Sequence, residues 1–379
     1  MAVARASTVV HRGGTGRAVE PVVSVVIPTR NRPANLARTL EALGRQTRPA
    51  HEIVIVDASD QPLEEPALRG SNRALPPLVC LHTRPGLCAQ RNIGIRKATG
   101  SHVLLCDDDI ELPPEYIARL VAYLATNPNE GAVTGLIREA DGAGGFTHGF
   151  ARPSVRHLAF AFLFQLTVWA DVEAAQTGWL GAPPLRALGR WYRRRGNTWT
   201  VAGWPLVTQV SDAVLHTATY GLGAALVRRS WLLGSPYDER LGAHGIGDNY
   251  GVALGFPGEC PIAVLVDLPV LHHRAAANRL DPADAFLQRV LALDYFLRTS
   301  GRFSRTSVAW LIWSLVGRSM MFAARGRTDM LRSSVVAFAT VLVGSNPLMA
   351  RARDPVGTSP VAQASPHATA SRGDPEVGR

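Results

Sequence analysis

The sequence predicts an α/β protein: a mostly parallel, Rossmann-like central sheet with helices on both faces, plus a helical C-terminal extension. Three observations predict it. Short β-branched runs alternate with helical patterns from Val22 onward, each run ends in polar residues, and the pattern turns wholly helical from about Asp281 to Gly344.

Strands are expected at Val22 to Pro28, His51 to Asp57, Pro77 to Thr83 and Ser101 to Asp107, all short apolar runs. Helical patterns lie between and after them in PANLARTLEALGRQ, GLCAQRNIGIRKATG and PPEYIARLVAYLAT. Pro33, Pro113 and Pro114 stand where helices would begin, the position at which a missing N–H costs least. Ligands of such sheets gather at the carboxyl ends of the strands. Strand one runs there into PTRNR, strand two ends in Asp57, and strand four ends in Asp107, Asp108 and Asp109.

After GAVTGLIRE the alternation fades into a Gly-, Trp- and Arg-rich stretch, read as an insertion or acceptor-side subdomain. The expected organisation is a flexible basic arm over 1–20, a main domain over 21–280 with an insertion at about 140–215, a helical region over 281–350 and a disordered Pro-, Ala-, Ser- and Gly-rich tail over 351–379.

A chain of 379 residues with 46% apolar content can bury a large core. Its formal net charge of +10 biases the surface toward phosphates or anionic lipids, but Lys97 is the single lysine, so base composition of the gene explains much of the arginine usage. The arginines are dispersed and no stacking-aromatic module is visible, so no nucleic-acid partner is expected. Cys80, Cys88, Cys106 and Cys260 form no CxxC pair, which argues against a zinc module and a disulfide framework and for a reducing compartment. The first twenty residues lack the apolar stretch of a secretory signal. No apolar run reaches the roughly 18 to 20 uninterrupted residues of a spanning helix. His157 to Ala170, Val308 to Ala324 and Ser334 to Gly344 come partway; Arg318 breaks the second, where Trp310 and Trp313 share one side. A helix in the interfacial plane and a buried core helix both fit, and peripheral contact at the inner, cytoplasmic face of the cell membrane is the expectation.

The acidic triplet carries the most chemical information. A hard divalent cation takes several carboxylate oxygens and shares its remaining sites with substrate phosphates, and the apolar SHVLLC delivers these carboxylates to the ligand edge of the sheet. A solvated helix cap is the competing reading, since ELPPEY follows at once. No glycine fingerprint follows strand one, and GxxxxGK[ST], HExxH and GxSxG are absent, which removes motif support for dehydrogenases, P-loop NTPases, zincins and α/β-hydrolases.

SVVIPTRNRPANLARTLEAL, HEIVIVDASD and RPGLCAQRNIGIRKATGSHVLLCDDDIELPPEYI together resemble family 2 glycosyltransferases of the GT-A fold, continuously from Val22 to Arg138 and again from about Thr219 to Arg274. The resemblance implies an inverting enzyme that moves a sugar from a nucleotide diphosphate sugar to an acceptor hydroxyl with Mg2+ or Mn2+; the setting expected is synthesis of envelope polysaccharide or glycolipid, the lipid link resting on the apolar, Trp- and Arg-bearing segments. It places the donor nucleotide at Pro28, Thr29, Arg30, Asp57, Arg91 and Asn92, although an aromatic residue is common where Arg30 stands and a second acid where Ala58 stands. It assigns Asp107, Asp108 and Asp109 to the metal–diphosphate site, the last two closest to the ion, and adds His272 in preference to His273. GLGAALVRRSWL resembles the glycine-rich acceptor segment, and YDERLGAHGIGDNY the stretch that ends in an acidic pair, here Asp248 and Asn249. An inverting transfer needs one carboxylate to take the acceptor's proton, and Asp248 is the residue chosen, with Asp238 and Glu239 as alternatives.

The acceptor expected is a glycan or a lipid-linked one. Two other readings stand beside this one. A nucleotidyltransferase would carry a glycine-rich basic loop where PTRNR stands, and a catalytically impaired assembly partner that binds a nucleotide sugar or glycan would explain Asn249.

Overall fold

Seven consecutive buried residues, Val23–Thr29, form the central strand β1 of the sheet. In this computed structural model the described residues are 20–65, 68, 74–140, 146–147, 150, 153–172, 183–210, 213–275, 277 and 279–353. The expected N-terminal arm and nearly all of the expected tail lie outside them.

β1 pairs in parallel with β2 (Glu52–Asp57) and β4 (His102–Leu105), and β2 pairs in parallel with β3 (Leu78–His82). The second half of the chain extends the sheet. β11 (Leu226–Arg228) runs antiparallel between β4 and β6 (Ala132–Ala140), β12 (Ile262–His272) runs parallel to β6, and β10 (Val214–Thr217) closes that edge, antiparallel to β12. Two-residue strands β5 (Ile110–Glu111) and β7 (Phe146–Thr147) pair with β12 and β6. The sheet is mixed but mostly parallel, and its two faces carry separate apolar clusters, one around Val26, Val56 and Ile95, the other around Ile27, Ile55 and Leu120.

Helix α1 (Pro33–Gly44) begins at its proline and buries Leu36, Leu40 and Leu43, the spacing of one helical face. α2 (Leu87–Lys97) lies close beneath β1 and β2 because Gly94 has no side chain. A Cβ there would stand 2.4 Å from Val26 Cγ1. α3 (Tyr116–Thr126) starts two residues later than Pro113 and Pro114 suggest. Those prolines stay in the preceding turn, where their carbonyls accept from Gln46 Nε2 and the Thr47 N–H, while Gln46 Oε1 caps the helix at the Ile117 N–H.

The stretch expected to be irregular contains α4 (Val155–Leu163), capped by Ser154, and α5 (Pro183–Arg195). With strands β8 (Val168–Trp169) and β9 (Leu206–Val207), which pair in parallel, they enclose a cluster of their own around Leu158, Phe164 and Tyr192.

Short helices α6 (Arg229–Gly234) and α7 (Asp248–Leu254) precede the C-terminal helices α8 (Pro282–Thr299), α9 (Thr306–Ala324), α10 (Thr328–Val343) and α11 (Pro347–Arg353). α8 seats α7: a Cβ on Gly251 would stand 2.3 Å from Phe296 Cζ, and one on Gly247 2.8 Å from the Ala292 Cβ. Arg318, which breaks the apolar run in the sequence, lies within the continuous helix α9, its guanidinium carbon 5.0 Å over the Trp204 ring, where the charge is accommodated by the π face. Among the described residues α9 is therefore the one helix long and apolar enough to cross a membrane by length and composition, with 33% of that window buried in the protein.

Candidate active site

Chain direction puts the ends of β1, β2 and β4 at one edge of the sheet, and the acidic triplet follows β4 there. Thr39 of α1 shapes the turn, its hydroxyl lying 3.0 Å from the Asp108 carbonyl and 2.9 Å from that of Ile110. β5 then pairs with the end of β12, Ile110 opposite His272. Residues 163 positions apart in the chain are thereby brought together, and His272 Nε2 lies 3.2 Å from Asp109 Oδ1.

Asp107, Asp109 and His272 each turn one ligand atom into a common space, all within 4.8 Å of one another. Two carboxylates and an imidazole are a donor set suited to a divalent cation that keeps other positions for phosphate or water. Asp108 is not in this group, although the sequence reading set it, with Asp109, closest to the ion. It is 4% exposed, accepts from Thr29 Oγ1 at 2.7 Å and pairs with Arg32 Nη1 at 3.1 Å. Successive residues of a turn cannot all face one side, and the middle aspartate is spent on fixing the loop after β1 to the triplet. Burial pushes its carboxyl up to about 6, against the pull of Thr29 and Arg32.

Asp109 behaves in the opposite sense. Burial acts to raise its carboxyl, but His272, the Ala275 N–H and the Arg279 guanidinium outweigh it and hold the group well below the usual carboxylate range. Burial likewise acts to lower His272, and the carboxylates of Asp109 and Glu139 carry it up to about 9 instead. His273 points elsewhere, to Glu111 at 3.1 Å.

Arg91 is 3% exposed and joins two halves of the site. Its Nη2 donates to Asp107 Oδ1 at 2.7 Å and its Nη1 to Asp248 Oδ2. Asp248, the first residue of α7, is itself buried, and its second oxygen accepts from the Asn249 N–H at 2.6 Å. Burial pushes the Asp248 carboxyl up from its ordinary value, opposed chiefly by Arg91. Asn249 Oδ1 is shut off from solvent with no hydrogen-bond partner.

Five residues read as nucleotide contacts have other engagements here. Pro28 and Thr29 are buried at the end of β1. The Asp57 carboxylate, 2% exposed, accepts from the N–H groups of Ser59 and Leu63, both at 2.9 Å, and so holds the turn after β2. Asn92 clamps α2 to the 237–239 segment: its Nδ2 donates to the Tyr237 carbonyl and Glu239 Oε1, and its Oδ1 accepts from the Tyr237 N–H. Arg30, partly exposed, lies 3.8 Å from Asp60. Asp238 is taken up by Tyr295 and Arg240, and Glu239 by Asn92, which leaves Asp248 as the carboxylate of this segment that faces the triplet.

The sequence reading missed Arg32, Arg279, Glu139 and Gly223. Arg32 stands two residues past Arg30 in the same loop and reaches Asp108 and, at 3.9 Å, Asp109. Gly223 donates no side chain, which is its contribution: a Cβ there would stand 2.1 Å from Asp107 Oδ2. Next to Asp248 opens a cavity of about 200 Å³, walled by Asn249, Tyr250, Trp204, Tyr220, Arg289 and Phe296 among others.

Residues 24–169 match the sequence profile described as Glycosyl transferase family 2. An uncharacterized glycosyltransferase of Bacillus subtilis (strain 168), YwdF, is 36% identical over 106 residues, 27% of this chain and 38% of that protein. An uncharacterized glycosyltransferase of Haemophilus influenzae is 31% identical over 108 residues, 28% of this chain and 36% of that protein. The matches thus span little more than a third of these relatives' length. Among solved structures, that of GalNAc-T7 with UDP, GalNAc and Mn2+ superposes with a TM-score of 0.51 at 15% identity, covering 87% of this chain and 59% of that one, a likeness of fold. Residues 24–169 thus carry the sequence pattern of glycosyl transferase family 2, and the structure is GT-A-like in fold.

Proposed function

We propose that this protein transfers a sugar from a nucleotide diphosphate sugar to an acceptor hydroxyl, with inversion and with a divalent metal, in the synthesis of an envelope polysaccharide or glycolipid. The observation that carries the proposal is the link Asp109–His272–Asp107–Arg91–Asp248, which puts a cation-binding donor set and a buried carboxylate on two sides of one guanidinium.

Asp107, Asp109 and His272 fit a Mg2+ or Mn2+ ion by number and chemistry of donors, and the structure of GalNAc-T7 contains Mn2+ with UDP. When bound, such an ion offsets the charge that develops on the leaving diphosphate. The chain's own residues do the rest. Thr29 and Arg32 hold the β1 loop against Asp108, so the nucleotide-side wall keeps its shape. Arg32 and Arg279 add positive charge beside the triplet, where phosphate oxygens would lie. Asp248 stands as general base: its raised pKa favours taking a proton from the acceptor hydroxyl, and Arg91 fixes its direction. Asn249 forms part of the cavity wall next to Asp248, where its side-chain amide would lie beside the acceptor.

One observation favours a second reading. The acidic pair is reduced to Asp248 alone, and both Asp248 oxygens are engaged, as in a protein that binds a donor without turning it over. Incubating the purified protein with UDP, GDP, dTDP and CDP sugars, with Mn2+ or with EDTA, separates the two. Metal-dependent release of the nucleoside diphosphate from one donor supports transfer, and donor binding without any release over the whole panel supports the binding protein.

A further inference from the structure

The cavity beside Asp248 carries more positive charge than the proposed sugar chemistry uses. Arg289 of α8 forms part of its wall, and Arg318 of α9 stacks on another wall residue, Trp204. Trp204 is fixed for this by its Nε1 bond to Ser314 Oγ at 2.8 Å, one turn before Arg318 on α9. Arg318 Nε is shut off from solvent and has no hydrogen-bond partner. Burial first, then the neighbouring charges of Arg289 and Arg325, push the Arg318 guanidinium down to about 10. Among the described residues no carboxylate pairs with Arg289, Arg318 or Arg325, whereas every arginine of the triplet region has one. Arg289 and Arg325 are exposed and Arg318 is half-buried, so the three like charges repel one another through partly wet surroundings, and an anion that joins them relieves that repulsion.

An apolar face adjoins the cluster. Trp313, Met320 and, on α4, Leu163 are 41%, 53% and 56% exposed. They belong to one surface, since Trp313 Nε1 donates to the Leu163 carbonyl at 2.9 Å and Phe164 packs both on the Trp313 ring and over Gly317. A single ligand with an anionic head and a hydrocarbon chain satisfies the charged and the apolar features at once, and phosphate is a head that guanidinium groups bind through paired N–H donors.

We propose that the acceptor is a phosphate-bearing lipid whose head group also presents the acceptor hydroxyl, its phosphate held at Arg289 on the wall of the cavity that reaches Asn249, with Arg318 adding positive charge from its place against Trp204, and its chain lying along the Trp313–Leu163 face of α9 and α4. This rests on the transferase reading of the same site. Indole stacking and the exposed tryptophans make the α9 face suited to the membrane interface from which such a lipid is drawn.

Binding of farnesyl phosphate, farnesol and glucose 1-phosphate to the full-length protein by titration calorimetry tests the proposal. Farnesyl phosphate is expected to bind more tightly than either of the others, and Arg318→Gln and Arg289→Gln are each expected to weaken it by roughly tenfold or more. Equal affinity for farnesol, equal affinity for glucose 1-phosphate, or unchanged affinity in both variants would overturn it. Arg289 is solvent-exposed, so Arg289→Gln keeps the test open should Arg318→Gln fail to fold. A Mn2+-dependent shift of thermal stability by donor nucleotide, measured on the same samples, isolates the inference: if that shift is present and the lipid phosphate does not bind, only the acceptor class fails, and if it is absent from the wild type, the transferase reading itself fails.

Discussion

Arg91 Nη2 donates to Asp107 Oδ1 at 2.7 Å while Nη1 of the same guanidinium holds Asp248, so one buried cation spans the carboxylate proposed to hold the metal and the proposed base. Burial acts to strip this charge, but Asp248, Tyr237 and Asp107 together hold it firmly in place. Arg91→Met leaves two carboxylates facing each other without a counter-ion. The expected cost is about 3 kcal/mol or more, read as a lower denaturant midpoint.

Asp248→Asn keeps the shape of the site and removes the proton acceptor. Transfer should fall about 100-fold or more, while Mn2+-dependent donor binding stays within a few-fold of wild type. A variant that transfers at the normal rate would move the base to another group.

Gly223→Ala separates position from charge. The added Cβ would occupy the place of Asp107 Oδ2, and a side chain that can swing away does so at little cost in stability. We expect a melting temperature close to wild type together with a loss of metal-dependent donor binding as large as that of Asp107→Ala. Normal binding in Gly223→Ala would show that Asp107 need not stay where it stands.

Acid stability depends on a group remote from the site. Glu52 Oε1 accepts from Ser24 Oγ at 2.7 Å and from the N–H and hydroxyl of Thr99 at 2.7 and 2.6 Å. Burial acts to raise this carboxyl, and the bonds from Thr99 and Ser24 outweigh it and lower it below its ordinary value. A carboxyl lowered in the folded state contributes its stability in full above its unfolded pKa, about 4.3, and loses it as pH falls through the folded value. Glu52→Gln should therefore reduce stability at neutral pH and flatten its decline below about pH 4.3, as followed by urea denaturation across pH.

The parallel half of the sheet was legible because β1, β2, β3 and β4 are short apolar runs with polar ends, a pattern that needs no partner to be recognised. The acidic triplet and Asp248 were legible for the same reason, as local motifs. The division of labour within the triplet was not, since it depends on which way each carboxylate faces in a turn set by Thr39 and by the pairing of β5 with β12. Asp57 and Asn92 illustrate the same limit: their carboxylate and amide are taken up by Ser59, Leu63 and the Tyr237 backbone, partners that spacing does not reveal. Helix α4 was legible as the apolar run from His157, while Gly223 was hidden by having no side chain to read.

The measurement closest to the central claim is the thermal stability of wild type and Asp109→Ala with UDP, GDP, dTDP and CDP sugars, each with and without Mn2+. A ligand that binds only the folded state must stabilise it. The account predicts a metal-dependent rise with one nucleotide in the wild type and its loss in Asp109→Ala. A rise that persists in Asp109→Ala, or no rise with any donor, would contradict it.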